Sequence, residues 1–497
     1  MYSLICNEFV ALGGIYIKFL QGVLLQSEAM RKWQSPDRLN IFENLDHEPM
    51  DIVSVLRSEL SANQLKHISL VQPQPFAAGS FGQVYYGQHV NGKPIIIKVL
   101  RPMVRELLRY DLRLLGMFTR RMVGKMSANI DMDLEQAIKD FRVATLHETD
   151  YVGEAQFAHE LFESYKGHPT LVIPETFLNL CTSNIIVQEY VDGLSVAQLI
   201  RMQEQGVNPK QYVREVVGSD LDKQLITLGI ELLDGAFNLP RIQGDPHPGN
   251  IRLLPDNKVG MIDFGIAAPA PQNKAAFFGI VTGWDQVYNT SNFDISHLFE
   301  QFLRFFVNDL YRALQRLATF ARRPTNETEA SNYTREIGKI AQEAFRKIAG
   351  LGDAKSLVEE GQILQVVNRM VNKDNRFGLV VKLEASEILR ASQTYITLVE
   401  TLGRRNAVLP KVFSGVVARV GQEHPELINQ SDETMQVSEA LDIVSSWLER
   451  VANRDPVLFR QLMHRIKLGS GTQTLRSSKS ATMPVPRRAI KKEKINA

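Results

Sequence analysis

The chain has very few cysteines: Cys6 and Cys181 are the only two among its 497 residues. Two thiols cannot supply the disulfide framework of a small secreted domain, so we expect a reducing compartment. Neither sign of charge dominates, because 57 Lys and Arg residues balance 55 Asp and Glu residues, for a net charge of +2. The balance excludes the global basic field typical of nucleic-acid-binding proteins, and we expect no specific nucleic-acid partner.

Long hydrophobic runs are also scarce. Residues 9–26 are the most apolar stretch of sufficient length, but Lys18 stands at its centre. A charge at that depth costs about 2.5–3.5 kcal/mol on insertion scales, which argues against a spanning helix. Residues 1–7 lack the basic segment of a secretory signal. We therefore expect a cytoplasmic protein that is at most peripheral to a membrane.

The composition is that of a folded protein, with 44% hydrophobic and 23% charged residues. At roughly 100–200 residues per domain, the length predicts two to four structural units. Residues 1–70 have helical periodicity, whereas Phe81–Gly87 and Ile95–Leu100 are typical of strands joined by an Asn91-Gly92 turn. A long helix is predicted over residues 211–238, and helical patterns dominate again after residue 270. The fold class is therefore α+β.

The strongest motif is Gly244-Asp-Pro-His-Pro-Gly-Asn250, followed by Asp263-Phe-Gly265. Asp245 and Asn250 are five residues apart, which is the spacing of a kinase catalytic loop. Phosphoryl transfer requires one aspartate at the acceptor hydroxyl, and an amide oxygen and a second aspartate to hold Mg²⁺. We therefore predict Asp245 as the catalytic residue and Asn250 and Asp263 as the metal ligands. A turn rich in proline and glycine beside a buried strand is the simpler alternative.

A second motif fits a phosphate-binding turn between two strands. Its predicted nucleotide-binding residues, within 77–84, are Ala77, Ala78, Gly79, Ser80, Phe81, Gly82 and Val84. Small residues allow backbone N–H groups to approach phosphates closely. Lys98, on the next strand, lies in a run of β-branched residues and matches the lysine that binds the α- and β-phosphates. An ordinary hairpin turn is the alternative for the 77–84 segment alone.

Such a lysine requires a carboxylate partner, and three acids are available: Glu148, Asp150 and Glu154. Glu154 is four residues from Asp150 and would share a helical face with it, although a solvated helix face is the alternative for each acid. The strand at 184–190 ends in a turn at Asp192-Gly193. Its end fits the segment that contacts adenine in kinases, with Glu189 and Val191 as the predicted contacts.

Together these motifs resemble the UbiB/AarF family of atypical protein-kinase-like proteins, which act in ubiquinone and isoprenoid-lipid metabolism. The likeness covers about residues 10–270. It includes the alanine-rich loop at 77–84, the Glu-x-Asp element at 148–150, the catalytic loop at 245–250 and Asp263. The Lys-x-Gly-Gln motif of the family corresponds to Lys18-Phe-Leu-Gln21, in which Leu20 replaces the glycine. Gly79 stands where an alanine is usual.

The resemblance implies a two-lobed protein-kinase-like fold that binds ATP and Mg²⁺. It implies a lid region at 1–70, a small lobe at 71–190, the start of the large lobe at 191–270 and a helical region at 271–468. Lys98 would pair with Glu154 beside the phosphates. Lys18 and Gln21 would lie on one face of a lid helix, with Glu148 and Asp150 as the partners of Lys18.

We predict an atypical kinase or ATPase that hydrolyses ATP or transfers its phosphoryl group to a small-molecule or isoprenoid-lipid acceptor. A nucleotide-sensing scaffold with little turnover is the first alternative, and a protein serine/threonine kinase is the second. No Ala-Pro-Glu motif follows Gly265, which argues against a typical protein kinase. Residues 469–497 contain seven Lys and Arg residues and one Glu, for a net charge of +6. They are predicted to be a disordered tail that can contact an anionic membrane.

Overall fold

The computed structural model describes residues 49–79, 81–126, 141–142, 145–146, 148–290 and 383–429, together with single positions in helices. Those single positions are 15, 16, 19, 301, 305, 456, 457 and 460. Within these ranges helices and sheets are both present, which confirms the mixed α and β content that the sequence predicts. Lys18, Gln21, Ser80 and the basic tail lie outside the described residues.

The first structural unit, which we call the sheet unit, contains a four-stranded antiparallel sheet with the strand order β1-β2-β3-β5. Its strands are β1 (Ile68–Ala78), β2 (Gly82–His89), β3 (Pro94–Leu100) and β5 (Ile185–Glu189). The predicted Asn91-Gly92 turn joins β2 to β3, and Gly92 has the positive φ of 88° that glycine adopts without strain. The register places Lys98 opposite Val84 on one side and Ile186 on the other.

Four helices cover or flank this sheet. They are α1 (Ile52–Glu59), α2 (Ala62–Leu65), α3 (Val104–Met126) and α4 (Tyr151–Ser164). Helix α1 buries Ile52 and Leu56 against a cluster that includes Tyr85 and Ile97 of the sheet. Helix α3 buries Leu108 and Leu112 in a second cluster with Ile15, near the N-terminus, and with the start of α4. The apolar faces of these helices thus cover the sheet and fix the position of α4.

The larger unit, which we call the helical unit, is mainly helical, and its short strands lie beside the predicted catalytic loop. The helices are α5 (Val196–Glu204), α6 (Pro209–Tyr212), α7 (Leu221–Asn238), α8 (Lys274–Asn289), α9 (Leu383–Thr401), α10 (Arg405–Glu423) and α11 (Glu426–Asn429). The strands form two sheets, β4-β9-β8-β6 and β10-β7. Their bounds are β4 (Leu171–Val172), β6 (Leu194–Ser195), β7 (Arg241–Gln243), β8 (Ile251–Leu253), β9 (Val259–Met261) and β10 (Ala267–Pro269).

The prediction of a single helix over residues 211–238 is wrong, because the helix is interrupted before α7 begins at Leu221. A short π-helical segment, Val213–Val217, ends at Gly218, which adopts a left-handed conformation with φ 71°. Asp220 then caps α7 by accepting hydrogen bonds from the backbone N–H groups of Asp222 and Lys223. A glycine that ends one helix and an aspartate that begins the next are ordinary boundary signals.

Helices α9 and α10 pack on α7 and are fastened to it by polar contacts. The Asp222 carboxylate accepts hydrogen bonds from Arg404 at 2.6 Å and from Lys210 at 2.7 Å. The Tyr395 hydroxyl donates to the carbonyl of Leu225 at 2.7 Å. The described part of the region after residue 270 is therefore helical and shares one core with α7. No helix among the described residues is long and apolar enough to cross a membrane.

The close contact between α7 and α9 generates a stability prediction. A Cβ atom added at Gly229 would lie 2.4 Å from the Tyr395 hydroxyl oxygen and 2.5 Å from the ring. Gly229→Ala should therefore lower the free energy of unfolding by about 1–3 kcal/mol, through overpacking. Chemical denaturation of the full chain measures the change.

Gly235→Ala on the same helix is the matched control. Its Cβ would meet no atom closer than 3.4 Å, an ordinary contact distance. Alanine also has the higher helix propensity, so this variant should be neutral or more stable by up to about 1 kcal/mol. Equal losses in the two variants would contradict the packing explanation.

Candidate active site

Lys98 is the buried charge at the centre of the candidate site. It lies on β3 between Ile97 and Val99, and its Nζ atom is 2.6 Å from Glu154 Oε1 on α4. Asp263 approaches from the helical unit, with its Oδ2 atom 3.6 Å from the same Nζ. The structure thus brings together three side chains that are far apart in the sequence.

The electrostatics of this triad follow from burial and charge. Burial by itself lowers the pKa of Lys98, but the nearby carboxylates of Asp263 and Glu154 outweigh it and raise the pKa above its usual value. Burial raises the pKa of Glu154, which Lys98 and a hydrogen bond from the Phe264 backbone oppose. Lys98 therefore remains a cation, while the Asp263 side chain is 44% exposed on the open side of the triad.

Asp245 and Asn250 lie on the loop between β7 and β8. The Asn250 side-chain amide donates to the carbonyl of Asp245 at 3.4 Å, which closes the loop on itself. The carbonyl of Asn250 accepts from the Ile262 backbone N–H, immediately before Asp263. Burial raises the pKa of the Asp245 carboxyl, whereas His247 and Arg390 oppose the shift. The loop therefore brings Asp245 and Asn250 to the vicinity of Asp263.

Gln243 is a site residue that the sequence reasoning missed. Its side chain is buried at the end of β7, where its amide nitrogen donates to the backbone carbonyl of Asp263. Its amide oxygen accepts from the Asp245 backbone N–H at 3.5 Å. Gln243 thus connects the backbones of the two predicted acidic residues. A glutamine beside Ile242, shortly before the Gly244–Asn250 motif, was the available signal, since buried polar groups need partners.

Arg390 is a second residue that the sequence did not indicate. It lies on α9, and its charge is one of the two that oppose the raised pKa of Asp245. The adjacent residues Ile388 and Leu389 are buried in the core of the helical unit. A helix far along the chain is thus close enough to act on the catalytic loop electrostatically, a placement that depends on tertiary packing.

The predicted phosphate-binding turn joins β1 to β2. Ala77 is paired with Val84 and Ala78 with Gln83, and the Gly79 N–H donates to the carbonyl of Gly82 at 2.9 Å. A Cβ at Gly82 would lie 2.6 Å from the carbonyl oxygen of Val99 and 2.8 Å from the Tyr151 hydroxyl. Gly82 is therefore required for the close approach of this turn to β3 and α4. Phe81 is buried beneath the turn.

The predicted adenine-contacting segment lies at the end of β5. Glu189 is the last residue of β5, and its backbone N–H donates to the carbonyl of Glu175 at 2.8 Å. Val191 follows as a half-buried residue beside Gly260. Between them, the ring of Tyr190 contacts those of Phe76 and Tyr86, with centroid distances of 5.8 and 5.4 Å. These aromatic contacts connect the end of β5 to β1 and β2.

The remaining acids occupy different positions from Glu154. Asp150 is the N-cap of α4, where its side chain accepts from the Gly153 N–H, whereas Glu154 contacts Lys98. Glu148 is half-buried in the turn before the cap. Its predicted partner Lys18 lies outside the described residues, as does Gln21.

The donor atoms present suit Mg²⁺ held together with phosphates. Asn250 and Asp263 offer an amide oxygen and a carboxylate, and Mg²⁺ typically uses one or two protein oxygens plus phosphate oxygens. Within the described residues, no group of three His, Cys, Asp or Glu side chains could hold a metal ion alone. The chemistry of this pair therefore fits a cation that arrives with a nucleotide better than a permanently bound structural metal.

The buried triad makes a prediction that requires no ligand. Lys98→Met leaves the Glu154 carboxylate buried without its cation and should lower the free energy of unfolding by about 3–5 kcal/mol at about pH 8. The folded-state pKa of Glu154 in this variant should lie well above its ordinary value of 4.5. A raised folded-state pKa reduces stability as the pH rises, so the loss should shrink towards about pH 5.

The measurement is denaturant unfolding at both pH values. The control is Lys98→Met combined with Glu154→Gln, which removes the buried negative charge and should recover most of the stability at the higher pH. A loss that is independent of pH, and that Glu154→Gln does not relieve, would mean that the pair contributes through packing alone.

Comparisons with known proteins identify a domain and relatives of this chain. Residues 43–284 match the ABC1 atypical kinase-like domain. The chain is 26% identical to the chloroplast protein ACTIVITY OF BC1 COMPLEX KINASE 1 of Arabidopsis thaliana. The alignment of 305 residues covers 61% of this chain and 42% of that protein. It is 25% identical over 401 residues to the probable protein kinase UbiB of Azotobacter vinelandii, which covers 79% and 66%, respectively. The chain thus spans less than half the length of the plant relative.

Among solved structures, the chain is similar to a Mycobacterium tuberculosis protein determined in complex with erythromycin. The TM-score is 0.45 and the identity is 19%, over 78% of this chain and 90% of that one. The domain match, with its bacterial UbiB relatives, confirms the resemblance found in the sequence. Residues 43–284 thus carry an ABC1 atypical kinase-like domain, and the relatives support the assignment of the chain to the UbiB/AarF family of atypical protein-kinase-like proteins.

Proposed function

We propose that this protein is an atypical kinase or ATPase that binds Mg-ATP between two lobes, and that it hydrolyses ATP or transfers its phosphoryl group. The observation that carries the proposal is the contact of Lys98 with both Glu154 and Asp263, at 2.6 and 3.6 Å. A lysine of the sheet, a helix glutamate and a metal-binding aspartate are the arrangement that phosphoryl transfer requires. A purely structural ion pair would not need the second, half-exposed carboxylate.

Each residue has a definite role in this proposal. Lys98, oriented by Glu154, holds the α- and β-phosphates, while the turn at 77–84 covers them with backbone N–H groups. Glu189 and Val191 contact the adenine. Asn250 and Asp263 hold Mg²⁺, which when bound neutralises the charge on the phosphates. Asp245 accepts the proton of the attacking hydroxyl or water, and its raised pKa, caused by burial, suits a proton acceptor.

The acceptor that we propose is a small molecule or an isoprenoid lipid, in keeping with the ubiquinone and isoprenoid-lipid metabolism of the family. Lys18 and Gln21 would belong to a lid that covers the groove where a protein kinase places its peptide, with Glu148 and Asp150 as partners of Lys18. The basic tail after residue 468 would add a weak contact with an anionic membrane, at about 1 kcal/mol per basic residue near the surface.

Two substitutions should separate metal binding from chemistry. Asp263→Asn removes a ligand of Mg²⁺ and should weaken Mg-dependent nucleotide binding itself. Asp245→Asn should leave binding intact and lower turnover by about 100-fold or more, because it removes the proton acceptor. Thermal-shift titration with Mg-ATP and an ATPase assay measure the two effects.

Nucleotide titration without Mg²⁺ is the control for both variants. If Asp263→Asn keeps the full Mg-dependent thermal shift, the assignment of the metal site is wrong. If Asp245→Asn binds and hydrolyses ATP like the wild type, the turnover does not depend on Asp245. In that case the nucleotide-sensing scaffold becomes the better description.

The lid makes a separate prediction about substrates. Wild-type protein should bind Mg-ATP yet transfer no radiolabel to generic protein substrates in trans, because the lid occupies the peptide groove. Lys18→His should alter ATP turnover without unfolding the chain, whereas Lys66→His, at an exposed position of the sheet unit, should not. Strong labelling of protein substrates by the wild type would favour a protein serine/threonine kinase instead.

A further inference from the structure

Helix α3 has a second apolar side that faces away from the sheet unit. Five large apolar residues on this side, at the helix and immediately before it, are each more than half exposed. They are Met103, Leu107, Tyr110, Leu114 and Met117, which we call the outer seam. The inner side of the same helix buries Leu108, Leu112 and Leu115. Contiguous apolar surface of this kind is typical of an interaction site and not of scattered surface residues.

The spacing of the outer seam identifies the kind of surface. Within the helix, Leu107, Tyr110, Leu114 and Met117 are three, four and three residues apart, which is the 3.5-residue repeat of helices that pair along their length. The repeat covers residues 107–117 and ends at Met117, because Arg121 and Gly124 occupy the next two positions of the repeat. Such a seam fits another helix with the same repeat, and α3 of a second copy of this chain has that repeat.

Charges beside the outer seam select the orientation of that pairing. Glu106 and Arg113 are exposed and seven residues apart, so they lie on the same flank of the seam. In an antiparallel pair centred near Tyr110, Glu106 of each copy lies opposite Arg113 of the other, and both contacts join opposite charges. In a parallel pair, Glu106 would instead approach Asp111 of the other copy, on the opposite flank, and the like charges would repel.

We propose that the outer seam of α3 is a dimer interface at which two copies of this chain pair antiparallel, with two Glu106–Arg113 contacts between copies. Interfaces of this type are isologous, so one patch provides both halves of the contact. The proposal goes beyond the proposed function and does not depend on ATP turnover. Failure of either one therefore leaves the other intact.

Charge reversal tests the proposal most directly. The molecular mass of the full chain is measured by light scattering and sedimentation over a wide concentration range. The parent chain should dimerise, and Glu106→Arg or Arg113→Glu alone should weaken dimerisation by about tenfold or more, since each replaces two attractive contacts with two repulsive ones. The double variant E106R/R113E restores opposite charges and should dimerise like the parent.

The orientation is tested by disulfide formation between single cysteines, with the parent chain as the control for Cys6 and Cys181. Tyr110→Cys should cross-link two copies under mild oxidation. Met117→Cys should not, because an antiparallel pair places the two Met117 positions about 21 Å apart along the axis, at 1.5 Å per residue. A disulfide spans less than about 7 Å between Cα atoms. Cross-linking at both positions would indicate a parallel pair and overturn the arrangement.

Two other outcomes also contradict the proposal. A parent chain that is monomeric at every concentration means that the outer seam is not a dimer interface in solution. Leu107→Ser with Leu114→Ser serves as the apolar test. If this variant loses binding to vesicles containing anionic lipid while the parent chain is monomeric, the outer seam is a membrane-contacting surface. Thermal unfolding of every variant establishes that these exposed substitutions leave the fold intact.

Discussion

The structure of the site depends on one buried ammonium group. Lys98 lies in the interior of the sheet unit between residues that are almost fully buried, where an unpaired charge would cost several kcal/mol. Glu154 supplies the nearest anion, which requires α4 to lie against β3. Asp263 supplies a second, which requires the loop after β9 to approach the sheet. The pairing of a single lysine thus relates the sheet unit to the helical unit.

The helical unit holds the other half of the site rigid by different means. Gln243 connects the backbones at Asp245 and Asp263, so the two predicted acidic residues keep a fixed relation. Helix α9 presses buried apolar residues against this region and brings Arg390 near Asp245. The hydrogen bond from Tyr395 of α9 to the Leu225 carbonyl of α7 therefore supports the predicted catalytic loop as well as the core. The described C-terminal helices thus share one hydrophobic core with α7.

Helix α3 shows how one element can serve two surfaces. Its inner side completes the cluster that covers the sheet and includes the start of α4. Arg105 of the same helix donates to the carbonyl of Thr149, one residue before the N-cap of α4. Its outer side presents apolar residues at regular spacing to the surroundings. The helix that carries the outer seam therefore also contacts the start of α4, the helix that carries Glu154.

Much of the site could be predicted from the sequence, because its motifs have short, fixed spacings. Asp245 and Asn250 share one loop, Asp263 follows one short strand later, and Lys98 stands in a recognisable strand. The strands themselves, including the Asn91-Gly92 turn, follow from local residue preferences. The resemblance implied Glu154 as the partner of Lys98, and the structure has these two side chains in contact, whereas Asp150 caps α4. Only the tertiary structure decided the contacts of Gln243 and Arg390, because these contacts depend on packing between segments that are separated in the sequence.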